Sequence, residues 1–209
     1  AAGWPTTITP AIQLGFEPIM CEADKETFGL DVECLEHLLE KHNPGAVIFV
    51  QMLGVPHQQI DKILALKEQY GFVLLEDACA AMGASYHGRK VGTFGDMASF
   101  SLYFGHQLST IEGGVVSTDD AEFNDLLRML RSHGWGKDLP ESSHQKLLKQ
   151  YGIDNTHEPF IFYEPGFNFR GTDLQAFIGI GQLDKMEWLI SRRNENHLLY
   201  KKLLGEKLY

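Results

Sequence analysis

"GAVIFVQMLGVPHQQIDKILALKEQYGFVLLED", residues 45 to 77, decides the fold. Its opening "GAVIFVQ" is a continuous apolar run rich in β-branched residues, the pattern of a strand buried in a parallel sheet. "PHQQIDKILALKEQYG" then sets Ile60, Ile63 and Leu64 at helical spacing and stops at Gly71. "FVLLED" (72 to 77) is a second buried run. Strand, helix and strand within about 30 residues make a βαβ unit.

The same grammar extends outward. Upstream, "DVECLEHLLEKH" begins at Asp31, a good N-cap, and puts Val32, Leu35, Leu38 and Leu39 on one face. Downstream, "SFSLYF" alternates Phe100, Leu102 and Phe104 with Ser99, Ser101 and Tyr103, so Ser101 points away from the apolar face near a strand end. "EGGVVST" starts another strand after Gly113 and Gly114. "DDAEFNDLLRMLRSHG" has Phe123, Leu126, Leu127 and Leu130 at helical spacing before Gly134. Residues 135–171 read as a loop excursion that carries function. The last segment, from Thr172 and Gln175 at capping-box spacing, reads as one long helix bent near Gly179 and Gly181. The class is α/β with a mainly parallel sheet whose strands fall between 45 and 118. Sites in such sheets gather at the carboxyl ends of the strands.

Bulk properties narrow the function. The 209 residues are 44% hydrophobic and 22% charged, enough for a real core. The net charge of -10, with 28 acidic against 18 basic residues and no basic run, speaks against a nucleic-acid surface. No apolar run approaches the ~20 residues that span a bilayer, and the start lacks the pattern of a signal peptide. Cys21, Cys34 and Cys79 have neither disulfide-framework nor zinc spacing, so a reducing cytoplasm and no metal are expected. The chain starts and stops in mid-pattern, as a fragment of a longer protein would.

Four stretches could carry chemistry. Asp77 ends a buried strand; it reads either as the cap of a short following helix or as a carboxylate set to pair with a cation. Its neighbour Glu76 makes a purely structural use of both acids costly, because adjacent like charges repel. His106 sits on the lip of a glycine turn, where an imidazole either does chemistry or fills a loop. Trp4, ahead of Pro5 and two threonines, reads from the residues alone as an ordinary core aromatic. Asn168 and Arg170 precede a helix start, a place that suits anions, although Gly166, Asn168 and Gly171 are also turn formers.

Taken in order, "WPTT", "EDACAAMGA", "GRKVGTFGDMASFS", "EGG", "RSHG" and "GFNFRGTDLQAFIGIGQLDK" resemble the DegT/DnrJ/EryC1/StrS family of pyridoxal-phosphate sugar aminotransferases. The resemblance covers nearly the whole chain. It implies the three-layer, aspartate-aminotransferase-like large domain of that fold, with residues 1–209 as its central part. An N-terminal phosphate loop and a C-terminal small domain would lie outside. It also implies the cofactor, pyridoxal or pyridoxamine 5'-phosphate. Asp77 would keep the ring nitrogen protonated, Trp4 would stack on the ring and Ser101 would donate to the phosphate. Asn168 would reach the phosphate of a neighbouring subunit, which makes the protein a homodimer with shared sites.

The family places its Schiff-base lysine five residues after the strand serine. Five residues after Ser101 stands His106. Together with Trp4, this resembles the sugar-nucleotide 3-dehydratases, which use pyridoxamine phosphate to remove the C3 hydroxyl of a 4-keto-6-deoxyhexose nucleotide. Such enzymes serve deoxysugar and lipopolysaccharide O-antigen synthesis. His106 would take a proton from the cofactor methylene and give one to the departing hydroxyl. Ala80 stands where the aminotransferases carry a glutamine near the ring hydroxyl. Without any cysteine after Cys79, the iron–sulfur cluster of some dehydratases is not expected. Two other readings stay open: an ordinary sugar-nucleotide aminotransferase, with Lys90, Lys137 or Lys146 as its amine, and a non-catalytic cofactor- or nucleotide-sugar-binding member.

Overall fold

The computed structural model describes residues 3–154 and 157–205. They fall into two units, one running to Ser117 and resuming at Asp173, the other spanning Thr118–Thr172. The first unit holds β1 (Ala46–Val50), β2 (Val73–Asp77), the hairpin β3 (Ser85–Tyr86) and β4 (Arg89–Lys90), β5 (Met97–Ser101) and β6 (Gly114–Ser117). The main sheet has the order β1-β2-β5-β6. β1, β2 and β5 are parallel, and β6 returns antiparallel beside β5. The register sets Val50 against Asp77 and Asp77 against Ser99, so β1, β2 and β5 all end at one edge. The mainly parallel α/β sheet expected between 45 and 118 is therefore present.

Helices α1 (Thr9–Gln13), α2 (Val32–His42) and α3 (Ile60–Tyr70) belong to this unit. Asp31 caps α2, its carboxylate accepting the Cys34 amide at 2.8 Å. Gly71 closes α3 at a φ of 73°, a left-handed conformation that costs glycine nothing. Val32, Leu35 and Leu39 of α2 meet Ile63 and Leu66 of α3 over Val47, Phe49 and Leu74 of the sheet. Each buried side chain of this kind contributes roughly 1.5–3 kcal/mol. The strands depart from expectation in one respect: they are buried on one face and half-buried on the other. The helices α2 and α3 close the face of Val47, Phe49 and Leu74, whereas Ile48, Val73 and Leu75 point the opposite way.

In the second unit lie α4 (Ala121–Leu130) and α5 (Glu141–Tyr151). Asp120 caps α4 through the amides of Glu122 and Phe123. The stretch read as a loop excursion thus contains an eleven-residue helix. Its buried stripe is only His144 and Leu148, one turn apart, too thin to stand out from a polar sequence. The final segment, in the first unit again, is two helices rather than one: α6 (Asp173–Leu183) and α7 (Met186–Leu204). Gly179 and Gly181 stay helical inside α6. The ladder breaks two residues later, where the Lys185 amide turns to the Gln182 carbonyl at 3.0 Å. Residues 206–209, the end of that helical pattern in the sequence, lie outside the described residues. Among the described residues, no helix is long and apolar enough to cross a membrane.

Candidate functional site

Asp77 is the last residue of β2, at the edge where sites in parallel sheets form. No helix follows it. The chain turns instead, and Asp77 Oδ1 accepts the Cys79 amide at 3.2 Å. The other oxygen, Oδ2, accepts the Thr7 hydroxyl at 2.6 Å. A carboxylate offers about four acceptor positions, and these contacts use two. The group is held in orientation and still open to an N–H donor such as a pyridinium. Beside it, burial and the Asp77 carboxylate push the Cys79 thiol up to about 11.

Thr7 ends a 3-10 turn (Pro5–Thr7) that Trp4 begins, the Thr7 amide donating to the Trp4 carbonyl at 3.0 Å. Proline fits the first position of such a turn because it needs no N–H there. Trp4 itself is 76% exposed and takes no part in the apolar core of its unit. One short turn thus ties the tryptophan segment to the Asp77 carboxylate.

Glu76 has a different fate from its neighbour. Successive strand residues leave opposite faces, so the two carboxylates do not compete for one site, contrary to the cost expected from their adjacency. Glu76 is buried and accepts the amides of Gly92 (2.9 Å), Phe94 (2.6 Å) and Gly95 (2.8 Å) and the Gln51 side chain (3.0 Å). Gln51 passes the network on, its Oε1 accepting the His57 amide at 2.9 Å. The His57 ring accepts the Gln59 amide on Nδ1 and donates from Nε2 to the Leu30 carbonyl. The approach to β5 is thereby bolted beneath the strand that presents Asp77.

Ser101 is the last residue of β5, and its hydroxyl oxygen accepts the Tyr103 amide at 3.2 Å, leaving its proton free to donate. The alternation expected through Phe104 ends here. The chain turns, and Phe104 is 69% exposed. His106 follows in the bend, half-buried, its amide donating to the Tyr103 carbonyl at 3.0 Å. The next residue, Gln107, reaches across to the Ala80 carbonyl, in the turn that follows Asp77. The histidine loop and the aspartate turn are therefore joined at one sheet edge.

The second unit carries Asn168, on a loop ahead of α6 as expected. Its Oδ1 accepts from Arg170 Nε and Nη2 at 3.4 Å, and Arg170 Nη2 also lies 3.1 Å from the His133 ring. Lys137 and Lys146 belong to this unit as well, Lys137 lying over the Trp135 ring. Lys90 lies on the β3–β4 hairpin, its Nζ donating to the Gly83 carbonyl. Sequence reasoning missed Thr7, Gln51 and Gln107. Thr7 had a signal, three residues after Trp4 in a proline-started turn. The partners of the two glutamines lie 25 and 27 residues away, and no local pattern announces them.

A model of the DegT/DnrJ/EryC1/StrS aminotransferase family matches residues 1–208. The GDP-4-keto-6-deoxy-D-mannose 3-dehydratase of Yersinia pseudotuberculosis is 36% identical over 209 residues, all of this chain and 52% of its own. A solved structure of the Escherichia coli GDP-4-keto-6-deoxy-D-mannose-3-dehydratase, with bound hydrated pyridoxal phosphate, superposes with a TM-score of 0.87 at 32% identity. It covers 99% of this chain and 52% of that one. A histidine-to-asparagine variant of GDP-4-keto-6-deoxymannose-3-dehydratase, with bound GDP-perosamine, gives 0.86 at 31% identity over 98% of this chain and 52% of that one. The chain thus spans about half the length of the relatives it matches. The parallel sheet, the strand-end carboxylate and the full-length match of the family model agree, and the chain belongs to the DegT/DnrJ/EryC1/StrS aminotransferase family.

Proposed function

We propose that the full-length protein is a pyridoxamine-phosphate-dependent 3-dehydratase of a 4-keto-6-deoxyhexose nucleotide, working in deoxysugar or O-antigen synthesis. The observation that carries this is His106. It occupies the family's lysine position on the loop after β5, and Gln107 ties that loop to the turn after Asp77. The dehydratase relatives, one with bound pyridoxal phosphate and one with GDP-perosamine, support the same cofactor and substrate class.

When bound, the cofactor supplies an amine for the sugar's 4-keto carbon and a ring that accepts electrons. The chain's own residues do the rest. Asp77, oriented by Thr7 and the Cys79 amide, holds a proton on the ring nitrogen. Trp4 offers its exposed face for stacking. The Ser101 hydroxyl donates to the phosphate. The His106 imidazole takes a proton from carbon and returns one to the leaving hydroxyl, a task that suits a ring nitrogen able both to bind and to release a proton. An imidazole does not condense with an aldehyde to store the cofactor, as a lysine would. Asn168 completes the phosphate contacts of a partner subunit in a cytoplasmic homodimer.

The test is a product assay. Full-length protein, pyridoxamine phosphate and a 4-keto-6-deoxyhexose nucleotide should yield a sugar nucleotide that has lost the C3 oxygen, seen by mass spectrometry. A 4-amino sugar as sole product would replace this reading with the aminotransferase. Cofactor binding without any product would leave a binding member.

A further inference from the structure

We propose that Gln107 is a positioning residue that sets His106 against the Asp77 turn, an inference that rests on the cofactor reading above. The loop from Leu102 to Gly113 owes its shape to bonds within itself. Leu102 N donates to Gly113 O, Thr110 N to Leu102 O, Phe104 N to Ile111 O and His106 N to Tyr103 O. Such bonds fix the loop's form but not where it lies over the sheet edge. Two glutamine amides tie it outward. Gln175 of α6 donates to the Glu112 carbonyl at the far end. Gln107 donates to the Ala80 carbonyl at the near end, one residue past His106 and three past Asp77.

The other end of the Gln107 amide makes a case for function over stability. Its Oε1 is buried and, among the described residues, has no hydrogen-bond partner. Gln107 lines a cavity of about 20 Å3 with Met82 and Leu108 and with Met186, Leu189, Ile190 and Arg193 of α7. Arg193 makes no hydrogen bond to that oxygen, and an unpaired buried acceptor in a mostly apolar setting destabilises a fold. A methionine of similar length would pack there without that cost. The amide is useful for its donor end, which holds the His106 loop where the imidazole must work. Small misplacements of reacting groups cost large factors in rate.

A covalent probe tests this without turnover. His106→Lys should let the introduced amine condense with the aldehyde of pyridoxal phosphate, expelling water, and borohydride should fix the resulting imine at position 106 for peptide mass spectrometry. Adding Gln107→Met should slow this condensation about tenfold or more. Affinity for pyridoxal phosphate should stay within about twofold, and the melting temperature should hold or rise. Gln107→Glu, isosteric but unable to donate when ionised, should slow it too. An unchanged condensation rate in both double variants overturns the positioning role alone. A fall in melting temperature that tracks the slowed rate also overturns it, because Gln107 is then structural. If His106→Lys forms no adduct at all, the cofactor reading fails and this inference fails with it.

Discussion

An imidazole and an amine at position 106 differ in what they can store and what they can move. The amine condenses with an aldehyde; the imidazole forms no such bond and is left free to carry a proton. His106→Asn should therefore keep cofactor affinity and lose dehydration by roughly 10²–10⁴-fold, the usual worth of a positioned proton carrier. Steady-state turnover beside a cofactor titration separates the two quantities; wild-type turnover in the variant would make His106 a bystander. Asp77 makes a second residue-scale prediction. Its Oδ1 takes the Cys79 amide, a bond an asparagine oxygen can keep, and its Oδ2 takes the Thr7 hydroxyl, which can turn to accept from the asparagine amide nitrogen instead. Asp77→Asn should then fold and bind the ring through its face and phosphate. It should lose turnover because nothing negative holds the proton on the ring nitrogen. Full turnover in Asp77→Asn would reduce the residue to the anchor of its own turn.

Beneath β2, Glu76 works at the scale of the element. It gathers three approach-loop amides, those of Gly92, Phe94 and Gly95, and the Gln51 side chain, so β1, β2 and the run into β5 share one buried carboxylate. Gly92, one of its donors, has a φ of 88° and would place a Cβ 2.1 Å from the Phe100 ring, so that approach tolerates no side chain. Glu76→Gln turns one acceptor oxygen into a donor facing donors. It should cost on the order of 3 kcal/mol, read as a shift of the denaturant midpoint at unchanged slope. A midpoint within experimental error of wild type would show that the loop holds itself. This element also marks the boundary of what the sequence disclosed. The βαβ unit, the Asp31 cap, the Gly71 stop and the strand-end positions of Asp77 and Ser101 were legible, because each depends on spacing or on a residue's own backbone preference. The Glu76 network, the Thr7 and Gln107 contacts and the thinly striped α5 were not. Their partners lie far off in sequence, or their buried face is two residues wide. The break after Leu183 was misplaced onto Gly179 and Gly181, since a glycine inside a helix weakens it without obliging it to end.

At the scale of the whole molecule, the open matter is how many chains build one site. Trp4, Asp77, Ser101 and His106 share the first unit, while Asn168 belongs to the second. In the proposed homodimer, Asn168 serves the partner's phosphate, so each site draws on two chains. Two-fold symmetry makes this testable by complementation. His106→Asn spoils the site of the chain that carries it; Asn168→Ala spoils the site of the other chain. Each variant alone should be inactive. Mixed and allowed to exchange subunits, half of the dimers become hybrids. Each hybrid pairs an intact His106 and a partner's intact Asn168 in one of its two sites. Activity should therefore return to about a quarter of the wild-type value in an equal mixture. A cofactor titration should show one strong site per hybrid. If Asn168 acted within its own chain, neither site of a hybrid would be whole, and the mixture would stay as inactive as its parts.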